Sequence, residues 1–350
     1  NNLKMKFIHT ADWHLDKNNR LSDFEKSIQQ IEKFSKEKNI DFILIAGDIF
    51  HKRTPDNNAR NVFYKFIKDI YPIPVIVLVG THDVSMNIHS LSPLKSLQVD
   101  NLLILDTLDI KVINFPSATL AILSIPYTTN KIDISSIQEL IKKLLSMNVD
   151  YKIILGHFSV IGAFDGIYTV SQNSKDIIVP KDILDVDGID YIALGHIHKP
   201  QTIGNIRYSG PIERVDFGEK DNEVGFYYIE DKNVSFIPLE VNPMIDLSLS
   251  SIDDIEKVEL PKNAIIRVIV DSNNLGKDFY TVNNIKNILE EKDCNFYSVI
   301  FKQSNKDIDK IEDYKSKSRT WKDFVLEEIE KSEGLDKELL KKLFFEIIKS

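Results

Sequence analysis

Apolar and polar positions alternate along the first two thirds of the chain in a way that predicts strands separated by helices. Short β-branched runs, such as residues 75–79, are typical of buried strands. Residues 21–37 instead repeat apolar side chains at helical spacing, so we expect an amphipathic helix there. The strands expected between residues 191 and 238 follow one another too closely for helical crossovers. Residues 5–242 are therefore predicted to form an α/β fold with two stacked mixed β-sheets flanked by helices.

A second unit begins after Pro243. Apolar runs at 264–270 and 295–301 flank a helical pattern, which predicts a small α+β domain over residues 243–304. Residues 305–350 begin as a charged linker and continue as two amphipathic helices, which cannot bury their apolar faces completely on each other. We expect these C-terminal helices to dock on a partner protein or, alternatively, on the small domain of this chain.

Composition narrows the class of protein. Hydrophobic residues make up 43% and charged residues 28% of the 350 positions, as in globular proteins. Cys294 is the only cysteine, which excludes intrachain disulfides and favours a reducing, cytoplasmic location. No apolar run is long enough to span a membrane, and we expect the native start at Met5. The net charge of -9 argues against coating nucleic acid by charge alone, so a DNA substrate would need local basic groups.

Six of the eight histidines fall in five short motifs, each directly after an apolar run. A strand that ends in a sharp glycine turn projects its next side chains from the carboxyl edge of a sheet. Imidazole and carboxylate ligands together suit divalent ions such as manganese, iron or zinc, and two ions about 3.5 to 4 Å apart form a clamp for attack at phosphorus. The motifs are Asp12-Trp13-His14, Gly47-Asp48-Ile49-Phe50-His51, Gly80-Thr81-His82-Asp83, Gly156-His157 and Gly195-His196-Ile197-His198.

Each motif alone has an ordinary structural explanation. Asp12 and His14 could form a solvated strand end, Asp48 could be part of a structural turn, and His157 could be a core histidine. Five such strand ends in one chain favour chemistry instead, since together they can surround one point. The residues therefore predict a two-metal hydrolase in which the two oxygens of Asp48 could bridge the ions.

With these motifs the chain resembles the calcineurin-like metallophosphoesterases. Within them it is most similar to the SbcD-type DNA repair nucleases, the bacterial counterparts of the eukaryotic meiotic recombination nuclease. The resemblance rests on the five motifs, on residues 191–199 and on residues 208–219, the last being typical of the nuclease branch. It implies the metallophosphoesterase fold, with residues 243–304 as a cap that shapes DNA access.

The resemblance also implies a role for each residue of the motifs. His82 would be the acid that assists the leaving oxygen, and His51 would lie beside it and the phosphate, although His51 could also be a surface turn residue. The metals would be two Mn²⁺ ions, with Mg²⁺, Fe²⁺ or Zn²⁺ as alternatives. The first ion would be held by Asp12, His14, Asp48 and His198, and the second by Asp48, His157, His196 and the residue at position 81.

Position 81 departs from the family pattern, which has asparagine where this chain has Thr81. A threonine hydroxyl is a shorter and poorer neutral donor than an amide oxygen. We therefore expect the second metal site to be weakened by roughly 10- to 100-fold, the scale of changes in supporting ligands.

The resemblance implies a manganese-dependent nuclease of double-strand-break repair. It would act as a 3′-to-5′ exonuclease on duplex DNA and as an endonuclease on single strands, by two-metal hydroxide attack on the phosphodiester. The C-terminal helices would dock on an SbcC-type coiled-coil ABC ATPase. A homodimer would form through helices at 57–70 and 91–97, with Val62, Phe63, Phe66 and Ile67, unless these residues are simply core. We expect no membrane partner.

Two alternatives remain at this point. Thr81 could leave a catalytically weak scaffold that organises the ATPase on DNA, or the chain could be another metallophosphoesterase acting on small phosphodiesters. Basic residues that follow the motifs favour DNA, since loops after strand ends share one rim and could contact phosphates. Each could equally be an ordinary solvated charge. These residues are Lys17, Arg20, Lys52, Arg53, Lys199 and Arg214.

Overall fold

The computed structural model describes residues 5–15, 20–84, 92–97, 99–116, 118–128, 133–164, 177–249, 254–271 and 279–302. Its strands are β1 Lys6–Thr10, β2 Phe42–Ile45, β3 Val75–Leu78, β4 Leu102–Leu105, β5 Asp109–Asn114, β6 Thr119–Ile125, β7 Tyr151–His157, β8 Ser159–Val160, β9 Ile178–Val179, β10 Tyr191–Gly195, β11 Gln201–Ile203, β12 Ile206–Tyr208, β13 Gly225–Glu230, β14 Asn233–Pro238, β15 Met244–Leu249, β16 Ile265–Asp271 and β17 Asn295–Lys302. The α-helices within the described residues are α1 Leu21–Lys38, α2 Asn57–Asp69, α3 Ile134–Ser146, α4 Lys181–Leu184, α5 Asp254–Lys257 and α6 Phe279–Glu291.

Two six-stranded sheets form the larger part of the fold. The first has the order β14-β13-β1-β2-β3-β4, with β1 to β4 parallel, β13 antiparallel to β1, and β14 antiparallel to β13. The second has the order β11-β12-β10-β7-β6-β5, with β6, β7, β10 and β12 parallel and the two edge strands antiparallel. Both sheets are mixed, so the predicted fold class is confirmed.

Successive side chains of the central strands point to opposite faces of the sheet, so each strand packs both against the other sheet and against the helices. In β2, Phe42 and Leu44 belong to the apolar cluster between the two sheets, which they share with Leu155 of β7. Ile43 and Ile45 belong instead to the cluster that buries the apolar faces of α1 and α2. Because successive side chains of a strand point to opposite faces, a continuous apolar run is buried on both sides.

The apolar residues of α2 are core residues. Val62, Phe63, Phe66 and Ile67 are buried in the same cluster as the first sheet. The alternative that they are simply core is therefore the better one, and a dimer contact through α2 would use its outer face. In the second predicted dimer segment, residues 93–96 form a short 3-10 helix, and residue 91 lies outside the described residues.

Residues 244–302 contribute a separate, fully parallel sheet with the order β15-β16-β17. Its own apolar cluster includes Ile255 of α5, Ile285 and Leu289 of α6, and Val268 of β16. The sequence predicted β16, α6 and β17 but missed β15, where Asp246 interrupts the apolar run. In the structure Asp246 pairs with Arg267 of β16 through two contacts of 2.5 and 2.8 Å, which explains a charge within a strand.

The predicted C-terminal docking segment at 305–350 lies outside the described residues, so it stays a prediction. The boundaries 5–242 and 243–304 also stay predictions. Within the described residues, no helix combines the length and the apolar character that crossing a membrane requires.

Candidate metal centre

The five sequence motifs follow five parallel strands. Asp12 and His14 follow β1, Asp48 follows β2, His82 follows β3, and the two remaining motifs stand at the ends of β7 and β10. Because β1, β2 and β3 are parallel neighbours, as are β7 and β10, their carboxyl ends lie at one edge of each sheet. Stacking of the two sheets then brings ligand atoms of the motifs close together.

Asp48 lies between the histidines of the two sheets. Its Oδ2 atom is 3.4 Å from Nε2 of His157 and 3.8 Å from Nε2 of His14. Its Oδ1 atom accepts a hydrogen bond of 2.7 Å from the backbone N–H of His82. One carboxylate is therefore close to donors from β1 and β7, as a bridging ligand must be.

Three convergent groups of ligand atoms can be recognised among the described residues. In each group, one atom per residue lies within 4.8 Å of the others. Two groups share Asp12, so they are adjacent parts of one cluster. The groups are Asp12, His14 and His198; Asp12, Asp48 and His157; and His14, His51 and His82.

The ring nitrogens in the first group face each other. Nε2 of His14 and Nε2 of His198 are 3.0 Å apart. On the other side of its ring, His198 donates from Nδ1 to Oε1 of Glu219 at 2.6 Å. A proton held at Nδ1 leaves the Nε2 lone pair directed at the cluster, which is the arrangement found for metal-binding histidines with a carboxylate partner.

His157 shows the same orientation in the second group. Its Nδ1 atom donates to the backbone oxygen of Ala46 at 2.8 Å. Its Nε2 atom is buried without a hydrogen-bond partner and faces Asp48. A buried nitrogen without a partner is costly in a folded protein, and a divalent ion would satisfy it. The oxygen and imidazole donor set also fits such an ion.

The backbone around the cluster is strained. Non-glycine residues rarely adopt positive φ, and such residues concentrate at functional sites. Gly47 and Gly80 permit the close packing, because a Cβ would lie 2.4 Å from Nδ1 of His157 at Gly47 and 2.3 Å from the backbone nitrogen of Asp48 at Gly80. The strained residues of the motifs are Asp12 (φ 53°), His14 (φ 44°), Asp48 (φ 55°) and His196 (φ 90°).

The electrostatics of the cluster favour positive charge. Burial would raise the pKa of Asp48, but the neighbouring charge of His157 holds it well below its usual range. Burial would lower the pKa values of the two histidines, yet Asp48 raises that of His157 to about 9, and Glu219 and Asp12 raise that of His198 to about 9. Without metal, protons supply the positive charge that bound cations would otherwise provide.

His82 and His51 lie at the open side of the cluster, and both are partly exposed. Their rings are stacked with centroids 5.5 Å apart, and the His82 ring is 5.0 Å from that of His14. Nδ1 of His82 donates to the backbone oxygen of His51 at 2.7 Å. The proton that His82 can exchange with a substrate is therefore the one at Nε2.

Two predicted ligands, His196 and Thr81, adjoin the cluster but do not belong to its three convergent groups of described residues. The backbone N–H of His196 bonds both carboxylate oxygens of Asp12 at 3.0 and 3.1 Å, and its ring lies 5.2 Å from that of His157, outside the three convergent groups of described residues. The Thr81 hydroxyl is buried and has no hydrogen-bond partner. Both residues adjoin the cluster, and their role as ligands stays a prediction.

Sequence reasoning missed two acidic residues that organise the site. The carboxylate of Asp83 is fully buried and accepts backbone N–H groups from Gly80, Ile49 and Phe50, so it joins the second and third motifs. Burial and the charge of Asp48 raise the pKa of Asp83 to about 7. Glu219 ends the 208–219 segment that the sequence singled out, and this position was the available signal.

Two of the expected basic contacts have internal partners instead. Arg20 is buried and pairs with Asp23 at 3.1 Å and Glu213 at 3.2 Å. Arg214 donates to the backbone oxygens of Asn222 and Asn242. Both guanidinium groups therefore stabilise the fold, which corrects the expectation that they are free for DNA. Lys17 lies outside the described residues.

Comparison with known proteins identifies a family and several relatives. The family described as calcineurin-like phosphoesterase matches residues 5–200. The SbcD component of the nuclease SbcCD of Bacillus subtilis is 28% identical over 61% of this chain and 63% of that protein, and the same component of the Staphylococcus epidermidis nuclease is 25% identical over 67% and 70%. "DNA double-strand break repair protein Mre11" of Archaeoglobus fulgidus is 27% identical over 72% and 64%. The chain thus spans less than two thirds of two of these relatives.

Proposed function

The chain belongs to the calcineurin-like phosphoesterase family, and from this we propose that it is a two-metal DNA nuclease of double-strand-break repair. The observation that carries the proposal is the position of Asp48 between His14 and His157, at the meeting point of the two sheets. The names of the relatives support DNA as the substrate.

The residues of the cluster would hold two divalent ions, which we propose to be Mn²⁺. When bound, such ions activate water and neutralise the charge that develops on a phosphoryl group. Asp48 would be shared by the two ions because its Oδ2 atom lies near Nε2 of both His14 and His157, which belong to different halves of the cluster. The first ion would also bind Asp12, His14 and His198, and the second would bind His157, His196 and Thr81.

The side chains of this protein would contribute binding, orientation and proton transfer. Glu219 and the Ala46 carbonyl fix the rings of His198 and His157, so that each Nε2 would be available to an ion. The backbone oxygen of His51 fixes His82 in the same way. We propose that Nε2 of His82 donates the proton that the leaving oxygen requires, since a positioned histidine suits this task near neutral pH.

A basic residue and the third sheet lie near the cluster. Lys199 follows the last motif, and its Nζ lies 4.5 Å from the ring centroid of Phe164. The third sheet approaches the site through Phe217. We propose that residues 243–304 form a cap beside the path of the DNA.

We further propose that the protein cleaves duplex DNA as an exonuclease from 3′ ends and single-stranded DNA as an endonuclease. Residues 305–350 would bind an SbcC-type ATPase. The protein would be a homodimer and would act in the cytoplasm.

A cleavage assay tests the function. Purified protein with Mn²⁺ is incubated with duplex DNA, with single-stranded DNA and with a small phosphodiester. We expect cleavage of both DNA substrates, and we expect His82→Ala to reduce it by roughly 100-fold or more while Mn²⁺ binding is kept. Cleavage of the small ester alone would contradict the proposal and favour another metallophosphoesterase activity.

Thr81 favours a second candidate, a scaffold that binds DNA and the ATPase with little cleavage. The buried hydroxyl without a partner offers a metal only one short neutral donor. On this alternative, the protein would bind DNA but cut it no faster than His82→Ala does. If the native protein and His82→Ala cleave DNA at equal rates, the scaffold role replaces the nuclease proposal.

A further inference from the structure

A short segment, residues 215–219, contacts both the cluster of aspartates and histidines and the third sheet. Residues 217–219 form a 3-10 helix that begins with Asp216, whose side chain accepts the backbone N–H of Gly218 at 2.7 Å. Within this one turn, Glu219 contacts His198 and Phe217 contacts the third sheet. The two contacts are only two residues apart, so displacement of one must affect the other.

Glu219 is held at both carboxylate oxygens. Oε1 accepts from Nδ1 of His198 at 2.6 Å, and Oε2 accepts from the backbone N–H of Val215 at 2.8 Å. The side chain of Glu219 is 14% exposed, so water competes little for these bonds. A carboxylate fixed at both oxygens can hold one orientation of the His198 ring.

Phe217 attaches the turn to the third sheet. It is buried against Met244 and Ile265, and its ring centroid lies 4.6 Å from that of Tyr297. The guanidinium carbon of Arg267 lies 4.4 Å from the same centroid. Arg267 is itself fixed by its two contacts with Asp246. The aromatic ring is thus held by residues of β15, β16 and β17.

The part of the chain just before the turn is fixed as well. Glu213 is buried and pairs with Arg20, and Arg20 also donates to the backbone oxygen of Arg214 at 2.8 Å. Since this end is anchored to the first sheet and its helices, the turn at 215–219 has little freedom to shift except with the third sheet.

We propose that Glu219 is a positioning residue for His198, and that the third sheet sets the position of Glu219 through Phe217. The metal ligand His198 is then correctly oriented only when the third sheet is seated on Phe217. This inference rests on the proposed function in one respect, because it requires that His198 binds an ion.

Metal affinity tests the role of Glu219. Calorimetric titration of the metal-free protein with Mn²⁺ is compared for the native chain, Glu219→Ala, Glu219→Gln and Glu223→Ala. Glu223 is an exposed carboxylate four residues further along and serves as the matched control. We expect Glu219→Ala to weaken the binding of one ion by about 10- to 100-fold. Glu219→Gln keeps an acceptor oxygen and should lose less than about tenfold.

Truncation of two aromatic residues tests the contribution of the third sheet. Phe217→Ala removes the contact with the turn, whereas Phe296→Ala removes a ring from the apolar cluster within the third sheet and leaves the turn in place. We expect both to lower the free energy of unfolding, but only Phe217→Ala to weaken Mn²⁺ binding, on the order of tenfold. Phe217→Leu, which refills most of the space, should recover the affinity.

The outcomes separate this inference from the proposed function. Unchanged Mn²⁺ affinity in Glu219→Ala would overturn the positioning role, as would equal weakening of both ions in step with lost thermal stability. Equal affinities in Phe217→Ala and Phe296→Ala would overturn the link to the third sheet. A native protein that binds two ions but cuts no DNA would remove the nuclease proposal and leave this inference intact, whereas a native protein that binds none would remove both.

Discussion

The two ends of the stacked sheets use aspartate in opposite ways. At the amino end, Asp41, Asp150 and Asp190 each precede a strand and accept the backbone N–H of the neighbouring strand, from Lys6, Thr119 and Lys152 at 2.7, 2.7 and 2.8 Å. At the carboxyl end, Asp12 and Asp48 are buried and lie in a strained backbone, and besides the backbone N–H groups that they accept they face imidazole rings. The same side chain thus stabilises strand pairing at one end and, in our proposal, binds metal at the other.

The comparison teaches how to separate the two roles. The amino-end aspartates have one ordinary hydrogen bond, and none of the three has a positive φ. Strained backbone, burial and unsatisfied neighbouring nitrogens coincide at the carboxyl end. Such strain costs stability and persists where the surrounding structure imposes it. Mutations at the two ends should therefore change different measured quantities.

Asp48→Asn should have the largest effect. A neutral amide offers one acceptor oxygen and cannot bridge two ions, so we expect Mn²⁺ affinity to fall by at least about 100-fold and DNA cleavage to be lost. Asparagine tolerates positive φ and keeps an acceptor for the His82 N–H. The substitution also removes the charge that pairs with His157, so the free energy of unfolding of the metal-free protein should fall near neutral pH but not above about pH 9, where the His157 ring is neutral. Calorimetry and chemical denaturation measure both quantities, and a large loss of stability above about pH 9 would show that Asp48 is primarily structural.

Thr81→Asn should have the next largest effect, in the favourable direction. An amide oxygen reaches further than the buried hydroxyl of Thr81, so the second ion should bind about 10- to 100-fold more tightly. Thr81→Val keeps the side-chain shape without the oxygen and should bind that ion more weakly than the native protein does. Equal Mn²⁺ affinities in all three proteins would show that position 81 is not a ligand.

The sequence was sufficient to predict most of the fold and the residues of the cluster. Apolar runs buried on both faces revealed the parallel strands, and the glycine turns after them marked the carboxyl edge. It did not reveal β15, because Asp246 is compatible with a strand only when Arg267 of the neighbouring strand pairs with it. A tertiary partner of this kind cannot be recognised from local pattern.

The supporting residues were harder to predict than the aspartates and histidines of the cluster. Glu219 reaches His198 only through the 3-10 turn that ends 21 residues further along the chain. Asp83 accepts hydrogen bonds from the backbone N–H groups of Ile49 and Phe50, which are 34 and 33 residues away in sequence. Arg20 pairs with the nearby Asp23, but its second partner, Glu213, and its burial could not be recognised from local sequence. In each case the pairing depends on tertiary structure, such as the adjacency of β2 to β3 and of β1 to β13 in the first sheet.

Metal binding at the carboxyl end should depend on pH. In the metal-free protein the pKa values of His157 and His198 are about 9, so an ion must displace a proton from each ring at lower pH. Mn²⁺ affinity should rise by about tenfold per pH unit for each displaced proton and level off above about 9. Calorimetry in buffers of different ionisation enthalpy would count the released protons. A flat affinity from about pH 6 to 9 would contradict protonated rings in the metal-free cluster.

Asp190→Ala should have the smallest effect and should be confined to stability. It removes the acceptor for the Lys152 N–H at the start of β7, and because the carboxylate is exposed, water can replace part of the bond. We expect the free energy of unfolding to fall by about 0.5 to 1 kcal/mol, with less loss in Asp190→Asn, which keeps an acceptor oxygen. Mn²⁺ affinity and DNA cleavage should be unchanged in both, because β7 stays anchored between β6 and β10 along its length. If either fell, the amino end would be helping to place His157 at the other end of the same strand, and the division between the two ends would not hold.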